Sequence, residues 1–394
     1  MKIRFFLTVA LALSACAAPV STAEAPAEPV DAPSQVIEEN TPAPHPDTPS
    51  PPEIDAPIVE SPALVTVHFL NELDGWGITE TQIVRTNDGG ITWYNVTPPN
   101  VTETGYSVEF FVLDNNHVWM QKPDFNNYPN SGFLNITSDG GRTWRTITVP
   151  FSGAHIHFLD ADSGWALADR GVGAGSNAVA VYQTNDGGVT WVQTYTNDPD
   201  QAGTGDSLPL GGLKMGITPL NMQTAWIYGV VYAPGSAYVF RTDDGGHVWK
   251  PVSLSLPEGV DNAELTVEQI SIVSANESFL LIRITSDQTR LAVYDSNDAG
   301  QTWSLTPTLI PGAGAAKFLS AEEAVIYNGE QFYVTRDAAR TWSIIPPDML
   351  FSETFVAMDF VNPLSGWVTT LDPTGHRSFL RTTDGGATWF AIIP

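Results

Sequence analysis

The sequence has a single cysteine, Cys16, and few basic residues. One cysteine excludes an intramolecular disulfide. Only 17 lysines and arginines stand against 44 aspartates and glutamates, so the formal net charge is −27. A surface of this charge repels phosphate backbones and anionic lipid headgroups. We therefore expect no nucleic-acid binding, and contact with a membrane only through an attached lipid.

The first apolar segment, residues 5–13, is too short to span a bilayer. It follows Lys2 and Arg4 and ends in Leu13-Ser14-Ala15-Cys16, an order typical of an export signal. The last four residues resemble the lipobox of bacterial lipoproteins, which implies a signal peptide over residues 1–16 and a lipid on Cys16. The alternative is an ordinary secretory signal cut after Ala15-Cys16-Ala17. Both interpretations export the protein, and the first anchors it to the outer face of a bacterial membrane, at the cell surface or in the periplasm.

Residues 17–61 contain eleven prolines, nine acidic side chains and no lysine or arginine. Such a segment has too few apolar groups to offset the entropy lost on ordering. We expect a disordered, acidic and proline-rich tether that holds a folded domain, residues 62–394, away from the membrane.

Tryptophan, in contrast, is abundant and periodic. The twelve tryptophans occupy two positions of a unit that recurs seven times. One position ends a box such as TNDGGITW, whose aspartates are Asp88, Asp139, Asp186, Asp244, Asp298, Asp337 and Asp384. The other position, named the slot here, precedes the box aspartate by 12 to 21 residues and holds Trp76, Trp119, Trp165, Trp226, Phe279, Val325 and Trp367 in the seven repeats.

The box aspartates are 39 to 58 residues apart, a spacing typical of propeller blades. Each repeat has alternating apolar segments sufficient for four short strands. One such sheet cannot bury both of its faces, so the sheets must stack, and a ring leaves no end exposed. The sequence predicts an all-β fold, a seven-bladed β-propeller of four-stranded antiparallel blades, as one domain.

Within the box, the aspartate can accept hydrogen bonds from the following backbone N–H groups, and the glycines can adopt positive φ. Seven equivalent copies indicate a structural role for the aspartates rather than a catalytic one. Ala299, Ala338 and Ala339 replace box glycines in repeats five and six. We expect those turns to be strained or differently shaped, and repeat six, the shortest, to be the weakest.

The box is similar to the Asp-box, or BNR repeat, of sialidases, sortilin-type receptors and xyloglucan-degrading glycoside hydrolases. The longer phrases FLDADSGWALAD with QTNDGGVTW, and FVNPLSGWVTT with RTTDGGATW, most resemble the photosystem II stability and assembly factor family. The resemblance covers residues 64–394. It implies a non-enzymatic seven-bladed propeller, related to the WD40/YVTN-like superfamily, that binds a membrane-protein partner partly through basic surface residues.

Arginines are few in this chain. Arg85, Arg241 and Arg381 each stand three residues before a box aspartate. We expect their stems to cover blade edges with solvated heads.

The longest predicted loops belong to repeats two to four, at residues 121–132, 168–177, 194–212 and 228–236. We expect these loops to form one contiguous rim and to bind a partner through Phe125, Tyr128, Arg170, Tyr195, Asp198 and Tyr232. The alternative is that the loops are tolerated insertions whose aromatic side chains pack locally.

The sequence thus favours a monomeric protein-binding scaffold or assembly factor, without cofactor, catalytic residue or metal, whose partner is a protein or glycan at the cell surface. The alternative is a glycan-binding protein or a sialidase-like glycoside hydrolase, which would need two carboxylates facing each other within about 10 Å in a cleft. His155 and His157 share one side of a strand by simple alternation. Residues 197–203 lack the ligand pattern of a calcium loop.

Overall fold

The computed structural model describes residues 54–392, which contain strands, turns and two 3-10 turns but no α-helix. The predictions for Cys16, for the signal over residues 1–16 and for most of the tether lie outside the described residues. Within the described range, no helix has the length and hydrophobicity that a bilayer crossing requires.

Repeat one forms a five-stranded sheet, and repeats two and three form one four-stranded sheet each. Their strands are β1 (Ile58–Val59), β2 (Thr66–Phe69), β3 (Gly75–Ile78), β4 (Ile83–Thr86), β5 (Trp93–Asn95), β6 (Glu109–Val112), β7 (Val118–Lys122), β8 (Gly132–Thr137), β9 (Arg145–Val149), β10 (Ala154–Phe158), β11 (Ser163–Gly173), β12 (Ser176–Asn185) and β13 (Val192–Thr196). The extra strand, β1, lies on the outer edge of β5.

Repeats four and five share one eight-stranded sheet, in which the pair Val230–Thr266 joins the two halves. Its strands are β14 (Leu213–Pro219), β15 (Ala225–Val230), β16 (Ala237–Thr242), β17 (Lys250–Pro251), β18 (Glu264–Ile272), β19 (Ser278–Thr285), β20 (Thr289–Ser296) and β21 (Ser304–Pro311).

Repeats six and seven each form a four-stranded sheet. Their strands are β22 (Ala315–Phe318), β23 (Ala324–Tyr327), β24 (Phe332–Thr335), β25 (Ser343–Ile345), β26 (Phe355–Phe360), β27 (Gly366–Leu371), β28 (Arg377–Thr382) and β29 (Phe390–Ala391). The 3-10 turns are η1 (Gly105–Ser107) and η2 (Ser352–Thr354).

The prediction of an all-β fold with several four-stranded antiparallel sheets is confirmed. Seven separate blades stay a prediction, because repeats four and five share a sheet. The first strands of repeats one to six, β2, β6, β10, β14, β18 and β22, line one cavity of about 550 Å³. The sheets are thus arranged with their first strands around a common space.

Neighbouring repeats are joined by packing between a slot residue and the next box tryptophan. Trp226 of repeat four and Trp303 of repeat five share a core cluster, with their rings edge to face 6.3 Å apart. Trp165 and Trp249 share the cluster between repeats three and four. The described residues contain seven such clusters, each built from two consecutive repeats or from repeats seven and one.

A phenylalanine at the end of a first strand covers the slot tryptophan of the preceding repeat. Phe158 stacks on Trp119 with ring centroids 3.7 Å apart. A Cβ on Gly164 would lie 2.7 Å from the Phe158 ring, which explains why glycine precedes Trp165. The Gly-Trp phrase of the sequence is therefore a packing requirement.

The first and last repeats meet through the same contact. Phe69 stacks on Trp367 at 3.6 Å, and Trp367 Nε1 donates to the Gly89 carbonyl at 3.2 Å. The Phe69 amide donates to the buried Asp359 carboxylate at 2.6 Å, and Lys317 Nζ lies 2.7 Å from the same carboxylate. The hydrogen bonds of Phe69 and Trp367 join residues 290 and 278 positions apart in the chain.

All seven boxes form the same hydrogen-bonded turn. In repeat five, Ser296 Oγ donates to Asp298 Oδ1 at 2.8 Å, and the Thr302 amide and hydroxyl donate to the two carboxylate oxygens at 2.9 and 2.6 Å. Burial alone would raise the pKa of Asp298, but these hydrogen bonds outweigh it and lower the pKa to about 2. A general acid needs the opposite shift, so the geometry of this aspartate suits a structural role.

The boxes in which alanine replaces glycine form the same turn, but the backbone of these alanines is strained. Ala299, Ala338 and Ala339 have φ of 59°, 58° and 61°, the left-handed region that glycine tolerates best. The sequence left open whether these turns would be strained or reshaped; the structure has the strained form.

We predict that Ala299→Gly stabilises the protein. Removing the strain of an alanine in the left-handed region raises the free energy of unfolding by about 1–2 kcal/mol. The larger conformational entropy of glycine in the unfolded state offsets about 0.5–1 kcal/mol of this gain. Urea unfolding should show a net gain of about 0.5–1 kcal/mol.

The matched control is Gly300→Ala, because a Cβ there would lie 2.3 Å from Trp226 Cζ2. This variant should lose about 2–4 kcal/mol through strain and overpacking. Equal effects of the two substitutions would contradict the turn geometry.

Candidate functional site

The loop between β7 and β8 presents the most exposed aromatic side chain of the predicted rim. Asp124 accepts hydrogen bonds from the Asn126 amide at 3.0 Å and from Asn127 Nδ2 at 2.7 Å. This Asx-type turn fixes the loop from within. Phe125, at its apex, is 79% exposed, and Tyr128 is 40% exposed.

Arg170 and Asp198 hold the same loop from the side. Arg170 Nη1 donates to the Pro129 carbonyl at 2.8 Å, and its Nε lies 3.6 Å from Asp198 Oδ2. The two side chains are only 7% and 12% exposed. We predicted both as partner-binding residues, but their burial leaves them a positioning role.

Tyr195 is a clearer departure from the prediction. It is 6% exposed and lies in the core cluster between repeats three and four. Its hydroxyl accepts a hydrogen bond from the Leu208 amide at 2.8 Å. Tyr195 therefore supports the long connection from inside, because an aromatic ring with a polar tip fits a buried site with a donor.

Tyr232 is 59% exposed but stands apart from the other two exposed aromatics. Its ring lies against the tip of the β11–β12 hairpin, where a Cβ on Gly175 would be 2.9 Å away. Residues 168–177, predicted as a loop, are mostly the extended strands of this hairpin. The rim is therefore less continuous than loop lengths suggested.

Residues 197–203 are buried at their start and exposed at Pro199, Asp200, Ala202 and Gly203. Counted over the whole residue, Asn197 and Asp198 are 4% and 8% exposed, and Asn197 Oδ1 accepts a hydrogen bond from the Val179 amide at 2.7 Å. The start of this segment is thus a hydrogen-bonded turn, and the rest of it is an exposed loop.

Phe125 and Tyr128 face a groove of about 250 Å³ between repeats two and three. The first strands β6 and β10 supply Glu109 and His155 to it, and β11 supplies Asp169. We name this space the 2–3 groove. On its outer side, Phe125 also borders a wider pocket of about 800 Å³.

The side walls of the 2–3 groove are polar. His155 Nδ1 lies 3.5 Å from Glu109 Oε2, and the hydrogen bond to Glu109 raises the pKa of His155. Burial, together with the charge and hydrogen bond of Asp169, raises the pKa of Tyr128 to about 12. Tyr128 thus stays a protonated donor at any physiological pH.

Sequence reasoning missed Glu109, His155 and Asp169 as members of one site. A signal was available, because Glu109 and His155 occupy equivalent positions, three residues before the end of β6 and β10. His157, next on β10, is not part of the groove; burial lowers its pKa to about 4, and it packs on Phe111 at 4.8 Å. Across residues 54–392 no group of three or more metal-ligating side chains occurs.

The repeated arginines join neighbouring repeats. Arg241 Nη1 donates to the Ala299 carbonyl at 2.8 Å, and its guanidinium lies 5.2 Å from the Trp226 ring. Arg85 Nη1 donates to the Gly140 carbonyl at 3.2 Å. Arg381 lies 5.3 Å from the Trp367 ring. These contacts go beyond covering a blade edge, because the head groups reach the next box.

We predict that Tyr195→Phe destabilises the protein by about 1–3 kcal/mol, because the buried Leu208 amide loses its acceptor. Tyr232→Phe is the matched control and should change stability by less than about 0.5 kcal/mol, since its hydroxyl is on an exposed side chain. Urea unfolding of the two variants checks this. If both behave alike, Tyr195 is not a core residue.

No family model matches the chain. Among curated proteins it is similar to a xyloglucanase of Acetivibrio thermocellus, at 25% identity over 302 residues that cover 70% of this chain and 31% of the relative. The chain thus spans about a third of the length of the curated relatives it matches.

Two solved structures resemble the fold. YCF48 bound to D1 peptide has a TM-score of 0.51 and 16% identity, covering 84% of this chain and 94% of that chain. The GH74 xyloglucanase of Xanthomonas campestris has a TM-score of 0.57 and 13% identity, covering 86% of this chain and 55% of that one. Together with the all-β sheets, these likenesses identify the fold as a β-propeller.

Proposed function

We propose that this protein is a seven-bladed β-propeller that binds a partner protein at the 2–3 groove and has no catalytic activity. The observation that carries the proposal is the exposure of Phe125 and Tyr128 beside a groove whose walls are fixed by packed sheets. Exposed aromatic anchors over a concave site are typical of binding hot spots. The seven core clusters support a count of seven blades, because one of these clusters joins repeat seven to repeat one.

The comparison with YCF48 supports a binding function. That structure holds a peptide, and its chain is matched over 94% of its length. The xyloglucanases are matched over about half their length or less.

For the rest of the chain, we propose a lipid on Cys16, export to the outer face of a bacterial membrane, and a tether shorter than the predicted residues 17–61, because β1 (Ile58–Val59) pairs with β5. The order of charged, apolar and lipobox residues supports it. Growth with labelled palmitate should label the parent protein and leave Cys16→Ala unlabelled. An unlabelled parent would contradict the anchor.

The second candidate is a glycan-binding protein or glycoside hydrolase, and one observation favours it. Glu109 and Asp169 both line the 2–3 groove. We expect the purified protein to release no sugar from xyloglucan or arabinan. Hydrolysis that disappears in both Glu109→Gln and Asp169→Asn would replace the binding proposal with the enzymatic one.

The partner can be identified by photo-crosslinking in intact cells. A photoreactive phenylalanine analogue at position 125 should trap a defined protein, because this side chain lies at the groove. The same analogue at position 390 is the control, since Phe390 is 63% exposed on the outermost strand of another sheet. No adduct from position 125, or the same adducts from both positions, would contradict the site.

A further inference from the structure

One residue that lines the 2–3 groove has a buried hydroxyl without a partner. Ser152 is 1% exposed and lines the groove, yet its Oγ has no hydrogen-bond partner among the described residues. Buried polar atoms are nearly always satisfied. The Ser152 hydroxyl thus keeps an unused hydrogen-bonding capacity beside the groove.

The charge of the groove is negative. Glu109 and Asp169 line it, while no lysine or arginine does. In the described part of the chain, neither carboxylate forms an ion pair with a lysine or arginine. Glu109 lies beside His155 Nδ1 and accepts a hydrogen bond from the Ile156 amide at 3.3 Å, and Asp169 accepts from the Tyr128 hydroxyl and the Gly171 amide.

The cations that surround the groove already have acidic partners. Lys122 Nζ lies 2.6 Å from Glu103, Arg170 pairs with Asp198, and Arg377 lies 3.3 Å from Glu80. These three pairs leave Glu109 and Asp169 without a lysine or arginine partner, and the basic group beside Glu109 is the imidazole of His155. A cation that enters the groove would meet two carboxylates that no lysine or arginine neutralises.

One wall of the 2–3 groove already contains a cation next to an aromatic ring and a carboxylate. The Arg377 guanidinium lies 5.7 Å from the ring of Tyr106 and pairs with Glu80. Tyr106 is 69% exposed and also lines the 2–3 groove. Cations on aromatic faces next to carboxylates are favourable contacts.

We propose that the 2–3 groove binds a lysine or arginine side chain on an exposed segment of a partner protein. Glu109 and Asp169 accept hydrogen bonds from the cationic head, and Ser152 Oγ supplies a further acceptor. Phe125 and Tyr128 cover the apolar stem. A volume of about 250 Å³ suits one long side chain rather than a whole small-molecule ligand. This inference rests on the proposed binding function and names the chemistry of the partner.

The test is peptide binding followed by chemical-shift perturbation at about pH 8.5, where protonated imidazole competes less for Glu109 than at neutral pH. The probes are acetyl-Gly-Ser-X-Ser-Gly-amide peptides in which X is arginine, lysine, citrulline or glutamate. Citrulline matches the shape of arginine without its charge. The arginine and lysine peptides should bind at least about tenfold more tightly than the citrulline peptide, since charge-assisted hydrogen bonds are lost.

The Glu109→Gln/Asp169→Asn variant should weaken the arginine peptide by about tenfold or more, and Ser152→Ala by about two- to fivefold. Ser152→Ala removes a hydroxyl with no partner, so this variant should fold normally. Glu353→Gln, an exposed carboxylate in repeat seven, is the matched control and should bind like the parent. Unfolding curves confirm that each variant is folded.

The proposal is overturned if the citrulline or glutamate peptide binds as well as the arginine peptide, if no peptide binds at 10 mM, or if folded Ser152→Ala and the double variant bind like the parent. Crosslinking from position 125 tests the proposed binding function independently of the preference for a cationic side chain. A trapped partner without charge discrimination would preserve the docking site and reject the cationic side chain.

Discussion

The structure depends on one contact, the packing of each slot side chain against the box tryptophan of the next repeat. A sheet of four short strands has two apolar faces and cannot bury them alone. Burying an indole of about 200 Å² contributes roughly 5 kcal/mol before entropy is counted. The contact occurs in all seven core clusters of the described residues, including the one that joins Trp367 to Trp93. Each repeat is therefore stable only with its two neighbours.

The same contact positions the candidate site. The 2–3 groove lies between repeats two and three, the two repeats that the stacking of Trp119 on Phe158 joins. Glu109 and His155 reach it from β6 and β10, and the buried Arg170 holds the loop that carries Phe125 and Tyr128. The packed sheets supply the polar groups, and the loop between β7 and β8, which hydrogen bonds hold in place, supplies the exposed aromatic surface. This division is typical of binding sites on repeat architectures.

The sequence predicted the repeats, the strand order and the box turns, because these follow from residues that recur at fixed positions. It also predicted the exposure of Phe125, which an Asx-type turn holds outward. It failed for Tyr195, Arg170 and Asp198, since loop length does not tell which polar or aromatic side chains fold back into the core. The sequence did not predict the 2–3 groove, because its residues come from different repeats and their proximity depends on how the sheets stack. The pairing of Val230 with Thr266, which joins two repeats in one sheet, has no signature in the sequence either.

Closure between repeats one and seven is the central claim, and a crosslink across that joint tests it most directly. Asn362 Nδ2 donates to Glu72 Oε1 at 3.0 Å, so cysteines at these two positions lie within reach of a short bifunctional maleimide. Cys16 is replaced by serine in the same protein, so that only the new pair reacts. The account predicts an efficient crosslink within one chain in buffer and none in urea. A protein that crosslinks only between chains, or not at all while folded, would contradict a ring closed by its own first and last repeats.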